Sequence, residues 1–258
     1  MATTEQRTQL FSGQGKVYIA KRNELGFPDE DGFEFLGNCT KLMTKAEVQV
    51  VKHNETQTGK NSVDKRFEKA QEVKIESTFD EIRKAALERY LYGSTQEVAA
   101  NTVTAEGLKA KLGREVPIAQ IPDQSTTPVS ITDTGGATTY TLGTDYVISP
   151  TGMVRFPETG SAITDGQDLE INYEARAERI TTAFTSDNED FYLRFDGLNR
   201  AEDNAPVVIE LYKSRFDPSG LEAINDEFAT YDLNGDVLFD ECHVEDSLYG
   251  GFMRIRVV

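Results

Sequence analysis

Residues 33–79 read FEFLGNCTKLMTKAEVQVVKHNETQTGKNSVDKRFEKAQEVKIESTF. The first part, Phe33 to Val51, is a long strand candidate, with Gly37-Asn38 as its bend. In its second half Glu47, Gln49 and Val51 alternate with Ala46, Val48 and Val50, the pattern of a half-buried strand. Alternation resumes from Gln71 to Phe79, where Val73, Ile75 and Ser77 oppose Glu72, Lys74 and Glu76. Between them Lys52–Lys69 is polar and aperiodic, and long for a hairpin connection. The stretch therefore predicts two long strands joined by a long, mobile, mixed-charge loop.

The residues that follow predict the chain's one clear helix. Thr78 is a good N-cap, and Glu81 three positions later completes a capping box. Phe79, Ile82, Ala86 and Tyr90 recur at helical spacing, Leu87 and Leu91 widen the stripe, and Gly93 is a natural stop. Such a stripe needs a sheet to cover.

Outward from this block the pattern stays strand-like. Lys16–Ala20 is a short apolar run, and Gly26–Gly32 is a turn by composition. Residues 125–164 hold eleven Thr, with turn signals at Gly135-Gly136, Gly143, Gly152 and Gly160. Short strands fit between them at Pro128–Thr132, Thr138–Leu142, Tyr146–Ser149, Met153–Phe156 and Asp168–Tyr173. Pro117, Pro122 and Pro128 read as the linker into this module. Strands return at Arg179–Phe184, Phe191–Phe195, Val207–Tyr212, Phe228–Leu233, Val237–Phe239 and Phe252–Val258, with Asn234-Gly235 as a hairpin signal. The expected fold is mainly β: a β-sandwich or barrel core with one flanking α-helix, plus a small inserted all-β module. The core is drawn from 1–112 and 177–258, and the Thr-rich module from 113–176.

Composition narrows the function classes. The chain has 258 residues, 27 Lys+Arg, 44 Asp+Glu, two Cys, two His and no Trp, for a formal charge of −17. Residues 1–111 carry 17 basic and 17 acidic side chains, so residues 112–258 carry the whole deficit. That balance argues against tight binding to nucleic-acid phosphates. No run approaches the roughly 18 apolar residues of a membrane span, and Met1–Thr8 lacks the apolar centre of a signal peptide. Cys39 and Cys242 stand 203 positions apart and read as two free thiols of a reducing compartment.

Motifs for chemistry are few. Gly15-Lys16 and Gly59-Lys60 are followed by Val17 and Asn61, where a phosphate loop needs Ser or Thr. Asp232–Asp236 resembles the start of a calcium loop, but Val237 and His243 stand where Gly and Glu are required. His53 opens the polar stretch, and Cys242-His243 reads as a structural Cys beside a surface His. The chain is read as not an enzyme, with no cofactor and no metal site.

The order of features is more telling. Two long strands flanking a polar loop, then one helix, then returning strands, resembles the tail tube (major tail) proteins of long-tailed bacteriophages and their relatives in contractile injection systems. The run Tyr140–Ser149, then Gly152-Met153-Val154, Ile163–Gly166 and Leu169–Tyr173, looks like a small β module of phage structural proteins. The resemblance covers about 11–258 and implies six subunits closing a ring, rings stacking into a tube, and DNA delivered through it. It implies a virion protein of the tail, made in the host bacterial cytoplasm. Its partners would be its own copies, the tape measure, tail tip and terminator proteins, and passing DNA without tight binding, with no membrane. It places 33–51, 70–79, 205–215 and 226–239 in the inner wall, and lets 113–176 project outward. Six copies would carry about −100 charge, and DNA must slide past. Glu47, Glu72, Glu76, Glu210, Asp226 and Glu227 are the candidates for an acidic lumen, and Lys52, Lys60, Lys65, Arg66 and Lys69 for loop contacts to the next subunit. The alternatives are a decoration or tail terminator protein, or a β-sandwich module binding carbohydrate or another surface. For carbohydrate, Tyr140, Tyr146 and Tyr173 would have to replace the absent Trp, although core packing accounts for each more simply.

Overall fold

The computed structural model describes residues 10–57, 59–81, 83–125, 127–187, 189–220, 222–244 and 248–257. In chain order its strands are β1 (Gly13–Lys21), β2 (Glu34–Phe35), β3 (Cys39–Asn54) and β4 (Val63–Phe79). The helix α1 (Lys84–Leu91) follows, then β5 (Ser94–Val98), β6 (Asn101–Lys109), β7 (Glu115–Pro117), β8 (Ser130–Asp133), β9 (Val147–Ile148), β10 (Met153–Arg155) and β11 (Asp168–Ala175). The last are β12 (Glu178–Thr182), β13 (Phe191–Asn199), β14 (Ala205–Phe216), β15 (Tyr231–Asp232), β16 (Gly235–Val237) and β17 (Met253–Val257). The chain is mainly β with one α-helix among the described residues. It divides into two compact units, Met1–Ser94 with Thr181–Val258, and Thr95–Ile180.

The first unit is built on one nine-stranded sheet, ordered β15-β4-β16-β14-β13-β1-β2, with β17 paired to β14 and β3 to β4. Alternation decides its faces. Val17 opposes Phe195 and Ile19 opposes Leu193, while Leu193 opposes Leu211. These residues share a core with Val73, Ile75 and Phe79 of β4 and with Ala85 and Tyr90 of α1. Strands far apart in the sheet order thus bury side chains in one cluster, so the sheet curls over itself and the helix fills the gap.

Three local expectations change. Much of the polar stretch Lys52–Lys69 is strand: β3 and β4 stay paired out to His53 opposite Lys65 and Asn54 opposite Val63, leaving Glu55–Ser62 as the connection. Exposed on both faces, this part shows no hydrophobic period, and its backbone ladder sustains it. The helix starts later than the capping box implies. Thr78 lies in β4 and donates its hydroxyl to Asp232 (2.7 Å), and Glu81 accepts from the Asn38 amide and pairs with Arg83. Phe79 is a buried strand residue, while α1 begins after Arg83 without a side-chain cap. Ile82 lies outside the described residues. The helix ends at Tyr92, whose φ is 48°, with Gly93 N–H donating to Glu88 O (2.8 Å). Asn234-Gly235 is not a hairpin. Both β15 and β16 run along β4, Tyr231 opposite Phe79 and Gly235 opposite Ile75, so the dipeptide is an irregular step in one continuous path. Asn234 there accepts from the Ser77 amide (3.2 Å).

The second unit pairs β6-β11-β8 and β7-β10-β9 as two three-stranded sheets. Its core includes Ile131, Val154, Phe156, Ile163, Leu169 and Ile171. It is larger than the expected 113–176, because β6 pairs with β11 along Asn101–Lys109 and so belongs to it. Pro117 ends β7 and Pro122 bridges to Ala175, so neither is a linker residue. Thr138–Leu142 contributes only isolated bridges. Tyr140, Tyr146 and Tyr173 are core residues here, none more than 8 % exposed. The chain leaves the first unit through β5 and returns through β12, and these two strands pair with each other.

Gly235 sits between β14 and β4, where a Cβ would stand 2.1 Å from the Arg215 carbonyl oxygen. Gly235→Ala should therefore cost about 2–3 kcal/mol by forcing the two strands apart. Gly220→Ala, with nothing within 4 Å, should stay within about 0.5 kcal/mol. Denaturant midpoints of the two variants check this.

Candidate functional site

The distal β3–β4 hairpin is an exposed surface. Past the bulge between Gln49 and Val50, Val51 opposes Phe67 and Lys52 opposes Arg66. Both apolar partners stay in solvent, Phe67 at 62 % exposure, and Val63 is exposed as well. Five of its side chains are basic: Lys52, Lys60, Lys65, Arg66 and Lys69, against Glu55, Asp64 and Glu68. The five predicted contact residues therefore gather on one projecting arm, all of them exposed. Near its tip His53 Nδ1 bonds Asp64 (2.6 Å), which holds the Asp64 carboxyl below its ordinary range.

The six predicted acidic positions fall into three environments. Glu47 and Glu72 are cross-strand partners at the middle of the hairpin, with Glu76 opposite Met43 further along. Lysines interleave with them: Lys45 and Lys74 both pair with Glu47, and Lys41 with Glu76 (3.0 Å). Glu72 accepts from the Gln49 amide. This face is a mixed-charge ladder, not a run of bare carboxylates. Asp226 and Glu227 do stand in solvent.

Glu210 is different. It is 4 % exposed and has cross-strand neighbours Arg194 on β13 and Arg254 on β17. Arg194 Nη1 lies 3.3 Å from one oxygen, while Arg254 Nε and Arg256 Nε reach the other. Burial alone would raise its pKa, but the Arg254 hydrogen bond and charge, with Arg256 and Arg194, outweigh it and hold the carboxyl below its ordinary value. The expectation of a repelling surface charge at Glu210 is thus corrected: its charge is buried and neutralised. The pairing signal lay in Arg254 and Arg256, which sequence alone could not align with β14.

His243 is also corrected, from surface to interior. It is 2 % exposed in the short 3-10 turn Glu241–His243. Its ring stacks on Tyr212 at 4.3 Å and meets Phe27 edge-on. Its Nδ1 bonds Asp240 (2.8 Å), which also pairs with Arg22 (2.7 Å). Burial works against the Asp240 charge, but His243 and Arg22 hold its carboxyl low. Cys242 is the exposed neighbour, and both cysteines are free. Burial pushes the Cys39 thiol up to about 11. No group of three or more His, Cys, Asp or Glu is placed to hold a metal among the described residues, and none of their helices is long and apolar enough to cross a membrane.

Two further features escaped sequence reading. Asp217–Thr230 has no regular structure among its described residues, and it leaves Ile224 91 % and Phe228 94 % exposed. And among the described residues β3 hydrogen-bonds a strand on one edge only, as does β17. On β17, Ile255 opposes the core-packed Ile209 and Val257 the buried Val207, yet both stay more than half exposed.

Strand edges, a charged arm and uncovered apolar side chains define a mainly β protein with unfinished surfaces. The chain belongs to the family described as "Protein of unknown function UCP028589", whose model matches residues 10–256. No curated protein matches it.

Glu210→Gln leaves three arginines around a neutral group and should cost about 3 kcal/mol at neutral pH. The Glu210 carboxyl is depressed in the fold, so its stabilisation is present above its unfolded pKa and lost as pH falls through the lower folded value. Thermal melts from pH 7 to pH 2 should accordingly show a shallower acid limb for the variant than for the parent.

Proposed function

We propose that the protein is a structural subunit that assembles with copies of itself into rings that stack as a tube, the tail tube of a long-tailed bacteriophage. The observation that carries this reading is the pair of open strands: β3, sixteen residues long, and β17 each lack a second strand neighbour among the described residues. Open edges of that length invite strand pairing, and a closed ring removes them as a barrel does. The order of elements supports the same reading, as do the projecting hairpin and the separate β unit. The subunit would be a virion component, its partners being its own copies and the other tail proteins.

The charge supports passage of DNA without tight binding. At −17 per chain the assembly repels phosphates as a whole. On the β3–β4 face that repulsion is tempered by the lysines around Glu47 and Glu76.

Negative-stain electron microscopy of the concentrated protein, with sedimentation velocity across a salt series, tests the proposal. Stacked rings with a stain-filled pore are expected, shortening as salt rises because charged contacts set register and approach. A monodisperse monomer at every concentration and salt, even with purified tail tips as nuclei, would overturn it.

A further inference from the structure

The hairpin arm and the 217–230 segment belong to the same unit, and in the single chain each leaves its apolar side chains in water. On the arm these are Val51, Val63 and Phe67, and on the segment Ile224 and Phe228. Their charges are opposite. Lys52, Lys65, Arg66 and Lys69 are exposed on the arm and form no ion pair among the described residues. Asp217, Glu222, Asp226 and Glu227 are likewise exposed and unpaired, and the segment contains no Lys or Arg at all.

Among its described residues the segment is held near its ends. Ser219 N–H donates to Tyr90 O (3.1 Å), Tyr90 Oη donates to Gly220 O (2.6 Å), and Tyr231 pairs with Phe79. Between these anchors the main chain has one bond among the described residues, Glu227 N–H to Asn225 Oδ1 (3.0 Å). Its backbone groups are therefore free to take up a strand or a loop partner. An apolar pair at 91 % and 94 % exposure on an acidic stretch is a poor arrangement for a surface facing only water.

We infer that residues 222–230 are the receptor for the β3–β4 arm of a second copy of this chain. Phe67 and Val51 cover Ile224 and Phe228, Lys65 on the same face of the arm meets Asp226 and Glu227, and Arg66 on the opposite face adds to the arm's positive field. The inference rests on the assembly reading and deepens it by naming which acidic surface the arm meets. Because the two patches differ, a copy that gives its arm to one neighbour and receives an arm from another propagates the contact into a ring or a stack. Apolar burial supplies affinity, while the flanking charges set approach and register.

A zero-length carbodiimide coupling of mixed ¹⁴N- and ¹⁵N-labelled protein tests the contact in the wild-type chain. Links between Lys52, Lys65 or Lys69 of one isotope and Glu222, Asp226 or Glu227 of the other are expected. In parallel, Lys65→Glu with Arg66→Glu, and separately Asp226→Lys with Glu227→Lys, should each raise the concentration of half-assembly about tenfold or more. All four changes together should bring it back to within about threefold of wild type. Assembly of both charge-reversed variants at the wild-type concentration, without these mixed-isotope links, would overturn the inference and leave the assembly reading standing. So would loss in both without recovery in the combination. A wild-type chain that stays monomeric throughout would overturn both.

Discussion

A strand that hydrogen-bonds along one edge leaves alternate backbone N–H and C=O groups on the other to water or to a further strand. β3 does this over sixteen residues. Its inner edge is bound to β4 through the whole ladder from Cys39 to Asn54. The first half of that ladder covers the core through Val73, Ile75 and Phe79; the second half covers nothing and continues as an arm. Everything proposed about assembly depends on this division. The buried half pins the register, since a one-residue slip would turn Val73 and Ile75 out to water. The exposed half is thereby held in a defined position without a core of its own.

The middle of the same sheet, at β14, is fixed electrostatically. Glu210 could not remain charged at 4 % exposure without Arg194, Arg254 and Arg256 around it. Two of these arginines come from β17, so the buried carboxylate fastens the C-terminal strand to β14 and leaves the outer edge of that strand open. Arg22, Asp240 and His243 do the same for the loops beside it, with the His243 ring stacked on Tyr212, two residues along β14 from Glu210. The sheet is thus tied at specific points by buried charges while its edges stay available.

Much of this was legible in the sequence and some was not, for physical reasons. Alternation in 71–79 located the inner half of β4 because one face of it is buried there. The arm was hidden because a strand exposed on both faces has no hydrophobic period. The capping box at Thr78 misled because Thr and Glu serve a strand end and a turn as readily as a helix start. Asn234-Gly235 misled because the dipeptide signals a hairpin only when its backbone is free to reverse; here a Cβ at Gly235 would meet the Arg215 carbonyl oxygen, and close approach explains the glycine. The cationic residues of the arm were found by charge alone. The surroundings of Glu210 and His243 were not, because their partners lie 16 to 46 residues away for Glu210 and, for the Asp240 that holds His243, 218 residues away at Arg22.

Amide hydrogen exchange along β3, followed from dilute to concentrated protein, tests the central claim most directly. If copies close each other's edges, the outward amides of Cys39–Asn54 and of Met253–Val257 slow as particles form, while buried amides of Val73 and Ile75 do not change. Particles that form with exchange along β3 and β17 unchanged would contradict the account.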